Sequence, residues 1–212
     1  MPPIHNLKRS DLVACFVLAL ATASVAKTTK GLNQIVTPDI QQAGQFSISF
    51  QYVNPAVGNS FQDQLELGIT KQFEIAVFNG YKPGTQYLST EIGLIQQKNW
   101  LLSTGFLTYS TRHDVPQPFL EAGYYKGNVE TMAGVQFNGF EYELILGGAY
   151  QLNPRLQLMV DYLSGRSNFS TYGFTYAITK NLTINPALYV SNGSGKLFPY
   201  AVLTWTIMAW KA

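Results

Sequence analysis

Gln45-Phe46-Ser47-Ile48-Ser49-Phe50-Gln51-Tyr52 decides the fold. Phe46, Ile48, Phe50 and Tyr52 alternate with Gln45, Ser47, Ser49 and Gln51. Successive side chains of a strand point to opposite faces, so this stretch is a strand with one apolar and one polar face. The same period continues along the chain. Leu65, Leu67 and Ile69 alternate with Gln64, Glu66 and Gly68; Phe73, Ile75 and Val77 with Glu74 and Ala76; and Leu88, Ile92 and Leu94 with Glu91 and Gly93. Residues 100–111, fairly apolar on both faces, and residues 119–126 and 131–138 read as three more strands. Five better-defined ones follow around Tyr142-Leu144-Leu146, Leu156-Leu158-Val160-Tyr162, Tyr172-Phe174-Tyr176, Leu182-Ile184-Leu188-Val190 and Leu203-Trp205-Ile207.

That makes about twelve strands. With their less regular ends most reach the roughly 9–11 residues a tilted transmembrane strand needs, where soluble domains average about 5–6. Connector length gives an independent test. Longer connectors, at 54–60, 79–85, 111–117, 164–168 and 191–196, alternate with tight turns near Lys71, Gln97-Lys98, Gly127-Asn128, Asn153-Pro154 and Lys180-Asn181. Outer-membrane barrels have short periplasmic turns, longer external loops and an even strand number. Asn138-Gly139-Phe140 is the exception, a tight hairpin on the side that should be long.

Composition agrees. Charged residues are 12% and hydrophobic residues 46% of 212, with mean hydropathy +0.01. A soluble domain carries about 25% charge. After residue 26 there is no apolar run of the roughly 18–20 residues that a membrane helix requires. A barrel needs none, because alternate residues face lipid and lumen. The expected fold is therefore all-β, an antiparallel transmembrane β-barrel over residues 45–210. A formal charge of +2 is too small to suggest nucleic acid. No internal repeat supports a solenoid.

Residues 1–26 read as a cleaved signal peptide: Lys8 and Arg9, an apolar stretch from Leu12 to Leu20, then Ser24-Val25-Ala26 before Lys27. The single cysteine, Cys15, closes a Leu12-Val13-Ala14-Cys15 tetrad resembling a lipobox, yet no apolar stretch precedes it. It reads as a residue of the signal that leaves with it, so the mature chain has no disulfide or thiolate chemistry. The segment that opens at Lys27 and closes at Gly44 (KTTKGLNQIVTPDIQQAG) is polar and without period, an N-terminal arm.

Alternation puts Glu66, Glu74, Glu91, Glu121, Glu143 and Asp161 opposite the apolar rows, facing the lumen. The bases fall in the arm, turns and strand ends. An interior rich in carboxylates would favour cations if it conducts; alternatively these acids bond to Ser103, Thr104, Thr175 or Tyr189 and hold the cylinder shut. Tyr52, Tyr81, Trp100, Tyr109, Tyr150, Tyr162, Tyr176, Tyr200, Trp205 and Trp210 suit interfacial girdles.

Catalytic candidates are sparse. The mature chain has one histidine, His113, beside Asp114 with Ser110 near, the one combination that suggests a nucleophile and its base. A solvated loop histidine is the simpler reading, and no enzyme is expected. One histidine and no cysteine form no metal cluster, and no cofactor motif occurs.

Gly31-Leu32-Asn33-Gln34-Ile35-Val36-Thr37-Pro38-Asp39-Ile40, then Gln41-Gln42-Ala43-Gly44 and at once the first strand, resembles the opening of YjbH-like exopolysaccharide-associated barrels. Residues 116–125, 164–176 and 185–192 (PQPFLEAGYY, SGRSNFSTYGFTY, NPALYVSN) resemble runs in small bacterial outer-membrane proteins. These likenesses imply an outer-membrane barrel and no activity. Trp210 stands where barrels delivered to the assembly machinery carry a terminal aromatic, but Lys211 and Ala212 follow it.

Three functions fit. The first is an outer-membrane pore or transport component for small solutes. The second is a non-conducting accessory barrel of a secretion or exopolysaccharide system, whose arm either plugs the lumen or meets a periplasmic partner. The third is a soluble secreted β-sandwich. The expected partners are outer-membrane lipid and the barrel-assembly machinery.

Overall fold

A computed structural model describes residues 31–58, 60–81, 86–109 and 115–208. Twelve strands follow in chain order: β1 (Gln45–Val53), β2 (Phe61–Thr70), β3 (Phe73–Gly80), β4 (Gln86–Gln96), β5 (Trp100–Tyr109), β6 (Pro118–Lys126), β7 (Val129–Phe137), β8 (Tyr142–Asn153), β9 (Leu156–Leu163), β10 (Phe169–Ala177), β11 (Leu182–Ser191) and β12 (Leu197–Met208). Each pairs antiparallel with its chain neighbours, and β1 pairs with β12 from Gln45 opposite Met208 to Val53 opposite Tyr200. The sheet is a closed barrel and leaves no open edge.

The two-residue period sets the faces. Phe50, Leu65, Val77, Ile92, Leu120, Val135, Leu144, Leu158, Val160, Leu188 and Leu203 are all exposed on the outside. Ser47, Ser49, Gln64, Glu66, Ser103, Thr171, Thr175, Thr183 and Thr204 are buried on the inside. A soluble sandwich buries its apolar faces between two sheets. Here the polar row is buried and the apolar row exposed, which stabilises the barrel only where the surrounding solvent is lipid. Tyr52, Tyr81, Trp100, Tyr150, Tyr162, Tyr176 and Trp205 are exposed as girdle residues should be. Tyr200 corrects that expectation: it shares the inward face with Val202 and Thr204 and is buried. Trp210 and residues 1–26, which read as a signal peptide, lie outside the described residues.

Connectors after β2, β4, β6, β8 and β10 hold two, three, two, two and four residues, and all close the end at which β1 begins and β12 finishes. Those at the opposite end hold four to eight, residues 138–141 being the shortest. The two ends are called here the short-turn end and the long-loop end.

Candidate functional site: a lumen crossed by the N-terminal segment

A barrel of about eight strands is filled by its own side chains, and one of 16–18 encloses a water channel. Twelve strands leave space between these limits, and residues 31–44 occupy it. Gly31 and Leu32 line the short-turn side of the lumen, Gln34, Ile35 and Val36 reach the long-loop side, and Thr37, Asp39, Ile40, Gln41 and Gln42 return. A tight turn makes the reversal, in which the Leu32 N–H donates to the Ile35 carbonyl at 2.9 Å. Gly31 precedes it at φ +122°, and a Cβ there would stand 2.7 Å from the Ile35 oxygen. The segment is a wedge driven in from the short-turn end.

Two of the lumen acids hold it. Asp161 Oδ2 accepts the backbone N–H groups of Asn33 (2.8 Å) and Gln34 (3.3 Å). Glu74 Oε2 accepts the Gln41 N–H at 2.6 Å. Asn33 is 3% exposed and is held from every side. Its amide donates to Thr171 Oγ1 (2.9 Å), its side-chain oxygen accepts from Asn185 Nδ2 (3.1 Å), and its carbonyl accepts the Tyr189 hydroxyl (2.7 Å). Gln41 Nε2 donates to Ser47 Oγ at 2.9 Å, and Gln96 Nε2 to the Pro38 carbonyl at 2.9 Å. Buried backbone groups need partners, and in this aperiodic segment the barrel wall supplies them.

Apolar packing adds to this. Leu32 and Ile35 form one buried cluster with Met132, Ile145, Ala149 and Met159 of β7, β8 and β9. The wall is also cut to receive the wedge. A Cβ on Gly147 would stand 2.6 Å from Leu32 Cδ1 and 2.8 Å from Ile35 Cδ1, and one on Gly123 would stand 2.7 Å from Pro38 Cγ. A Cβ on Gly173 would strike Asn33 Oδ1, and one on Gly68 the Gln42 carbonyl. Four inward glycines on four strands thus form seats where any side chain would collide.

The wedge leaves two chambers with no lining residue in common. The long-loop chamber, about 290 Å³, is lined by Glu66, Glu74 and Glu91 together with Gln64, Ser89 and Gln136. Glu74 and Glu91 stand directly opposite each other on β3 and β4. The short-turn chamber is larger, about 860 Å³. Beside them Phe169, Tyr189, Phe198 and Tyr200 fill a sector of the lumen, the Tyr189 and Tyr200 rings 4.8 Å apart.

The structure therefore places all six candidate acids on the inner wall, each at most 4% exposed, but it does not bring them to one centre. Glu66, Glu74 and Glu91 line the long-loop chamber. Asp161 and Glu74 hold the wedge. Glu143 ties the long-loop end together, accepting from Gln136, Asn138 and Asn168, each at 2.7 Å. Glu121 stands opposite Ser103 on β5. Of the bonding partners proposed for these acids, Thr104 donates instead to the Phe119 carbonyl and Tyr189 to the wedge. Among the described residues no lysine or arginine occupies an inward strand position. At the long-loop rim, a hydrogen bond to Asp63 raises the Tyr81 phenol above its ordinary range. Ser110, His113 and Asp114 lie outside the described residues. Sequence reasoning gave plugging the lumen as one of two roles for the arm but did not single out Asn33, Gln34 and Gln41, although glycines on inward strand faces were a signal that something approaches the wall closely.

Among solved structures, the chain is similar to the KdgM porin in complex with disordered oligogalacturonate, with TM-score 0.56, 12% identity and coverage of 76% of this chain and 98% of that one. A second similarity is to the NanC porin in a rhombohedral crystal form, with TM-score 0.47, 9% identity and coverage of 77% and 98%. No protein-family model and no curated protein matches the chain. The fold, a closed twelve-strand antiparallel barrel, is like that of the KdgM porin. At such low identity, the KdgM likeness bears on architecture alone.

Proposed function

We propose that the protein is an outer-membrane channel for small solutes whose resting form is closed by its own N-terminal wedge. The observation that carries this reading is the split lumen: residues 34–36 line the long-loop chamber, and Gly31, Leu32, Thr37 and residues 39–42 of the same segment line the short-turn chamber. With the wedge withdrawn, the passage prefers cations, because Glu66, Glu74 and Glu91 line its long-loop half. Low-dielectric walls would strengthen the field of these carboxylates.

The test is the reversal potential of a refolded barrel lacking residues 27–42 under a salt gradient, with and without Glu66→Gln, Glu74→Gln and Glu91→Gln. The reading predicts cation selectivity that the triple substitution reduces severalfold. Anion selectivity, or no change on substitution, counts against it.

A second reading is a permanently closed accessory barrel of a secretion or exopolysaccharide system. The fit of the wedge to its four glycine seats favours it, as does the resemblance of residues 31–44 to the opening of YjbH-like barrels. A deletion variant that folds but never conducts would select it.

A further inference from the structure

The short-turn end carries a regular charge pattern. Its five turns hold one base each: Lys71 between β2 and β3, Lys98 between β4 and β5, Lys126 at the end of β6, Arg155 between β8 and β9, and Lys180 between β10 and β11. All five are exposed, and none of these turns holds an acid. The other rim differs: among the described residues Asp63 and Glu141 balance Arg166 and Lys196. A hairpin turn needs glycine, asparagine or proline for its backbone, not a cation, so turn geometry does not explain the pattern.

Three of the five, Lys98, Arg155 and Lys180, line the 860 Å³ chamber together with amides such as Gln96, Gln151 and Asn181. That chamber opens to water inside the barrel, whereas phospholipid headgroups lie around its outside. It also holds Asp39 and Glu130, so among the described residues its bases exceed its acids by three to two, and those of the rim by five to two. Above it the wedge forms a blind wall of Thr37, Ile40 and Gln41. A chain in transit finds no exit there, but a loop or tail that docks and stays can be accommodated.

We propose that the short-turn mouth is a docking surface for an acidic segment of a periplasmic protein, gripped by Lys98, Arg155 and Lys180. Short turns face the periplasm in such barrels, and the three bases that line the chamber draw an acidic partner into the mouth and fix its register. Because Gly31 and Leu32 of the wedge line this chamber, a partner seated there lies against the wedge. The docking requires only the closed form, so it stands or falls apart from the channel reading.

The experiment measures binding of a fluorescent ten-residue polyglutamate peptide to the refolded full chain in uncharged detergent at low and high salt. Two variants are compared, Lys98→Gln/Arg155→Gln/Lys180→Gln and Lys71→Gln/Lys126→Gln, both checked for heat-modifiable gel mobility. The expected result is salt-sensitive binding that the triple variant weakens about tenfold or more, while the double variant keeps it within about twofold. Equal losses in the two variants overturn the proposal, since charge alone then suffices. So does binding to phosphatidylglycerol vesicles without binding to the peptide, which assigns the ring to lipid headgroups. Absence of any peptide binding overturns it as well.

Discussion

Asp161 on β9 accepts the backbone N–H of Asn33 at 2.8 Å across 128 residues of chain. It takes the Gln34 N–H with the same oxygen. A carboxylate on the barrel wall thereby fixes the deepest part of the wedge by its backbone rather than by a side chain. Hydrogen bonds to a charged group contribute roughly 1.5–3 kcal/mol each.

Asp161→Ala should loosen the wedge while leaving the barrel closed. Losing the acceptor of one buried and one part-buried N–H group costs about 2–4 kcal/mol, so the wedge-out population should rise about 30-fold or more. Hydrogen exchange at Asn33 and Gln34 reads this directly. Unchanged protection there would remove Asp161 from its role.

Gly147→Val tests the seats. Its Cβ would meet Leu32 and Ile35 below 3 Å, and the wall opposite offers Met132 at 2.9 Å rather than free space. Overpacking of this kind costs roughly 1–3 kcal/mol. The wedge should become accessible to protease, with heat-modifiable mobility retained. Gly148→Val on the same strand, where the nearest atom is 3.4 Å away, should leave the wedge protected.

Tyr189→Phe keeps the ring contact with Tyr200 and removes only the hydroxyl that donates to the Asn33 carbonyl. A net loss of about 1 kcal/mol is expected in wedge retention. Combined with Asp161→Ala it should be non-additive, because both act through Asn33. Additive effects on exchange would show that the two contacts hold separate parts of the segment.

Val160→Arg places a cation at mid-strand on the outer face, where Val160 is 50% exposed. In bilayers it should cost about 2–4 kcal/mol of folding stability, against about 0–1 for Tyr142→Arg at a strand end. Equal costs measured by denaturant titration in vesicles would argue against a lipid-facing belt.

The barrel was legible because its information is local. A two-residue period needs no partner to be read, and it assigned the outer and inner rows of β1 and β9 from each strand alone. Tyr200 was misassigned because β12 is apolar on both faces there: Val202 points inward and Leu203 outward, so alternation had no contrast to read. The path of the wedge and its anchors were unreadable for a different reason. It has no period, and the groups that satisfy it lie 128, 152 and 156 residues away on Asp161, Asn185 and Tyr189. The polar composition read as an arm that either plugs the lumen or meets a periplasmic partner, and in the structure it matches a polar wall. Gly68, Gly123, Gly147 and Gly173 stood in plain view on the inward rows, but a strand glycine alone does not say what approaches it.

Single-channel conductance in planar bilayers, comparing the chain from Lys27 onward with one that begins at Ala43, tests the central claim most directly. The account predicts a silent or rarely opening intact barrel and sustained cation-selective steps after deletion, both proteins showing heat-modifiable mobility. Equal conductance in the two, or silence in a deleted barrel that has folded, would contradict it.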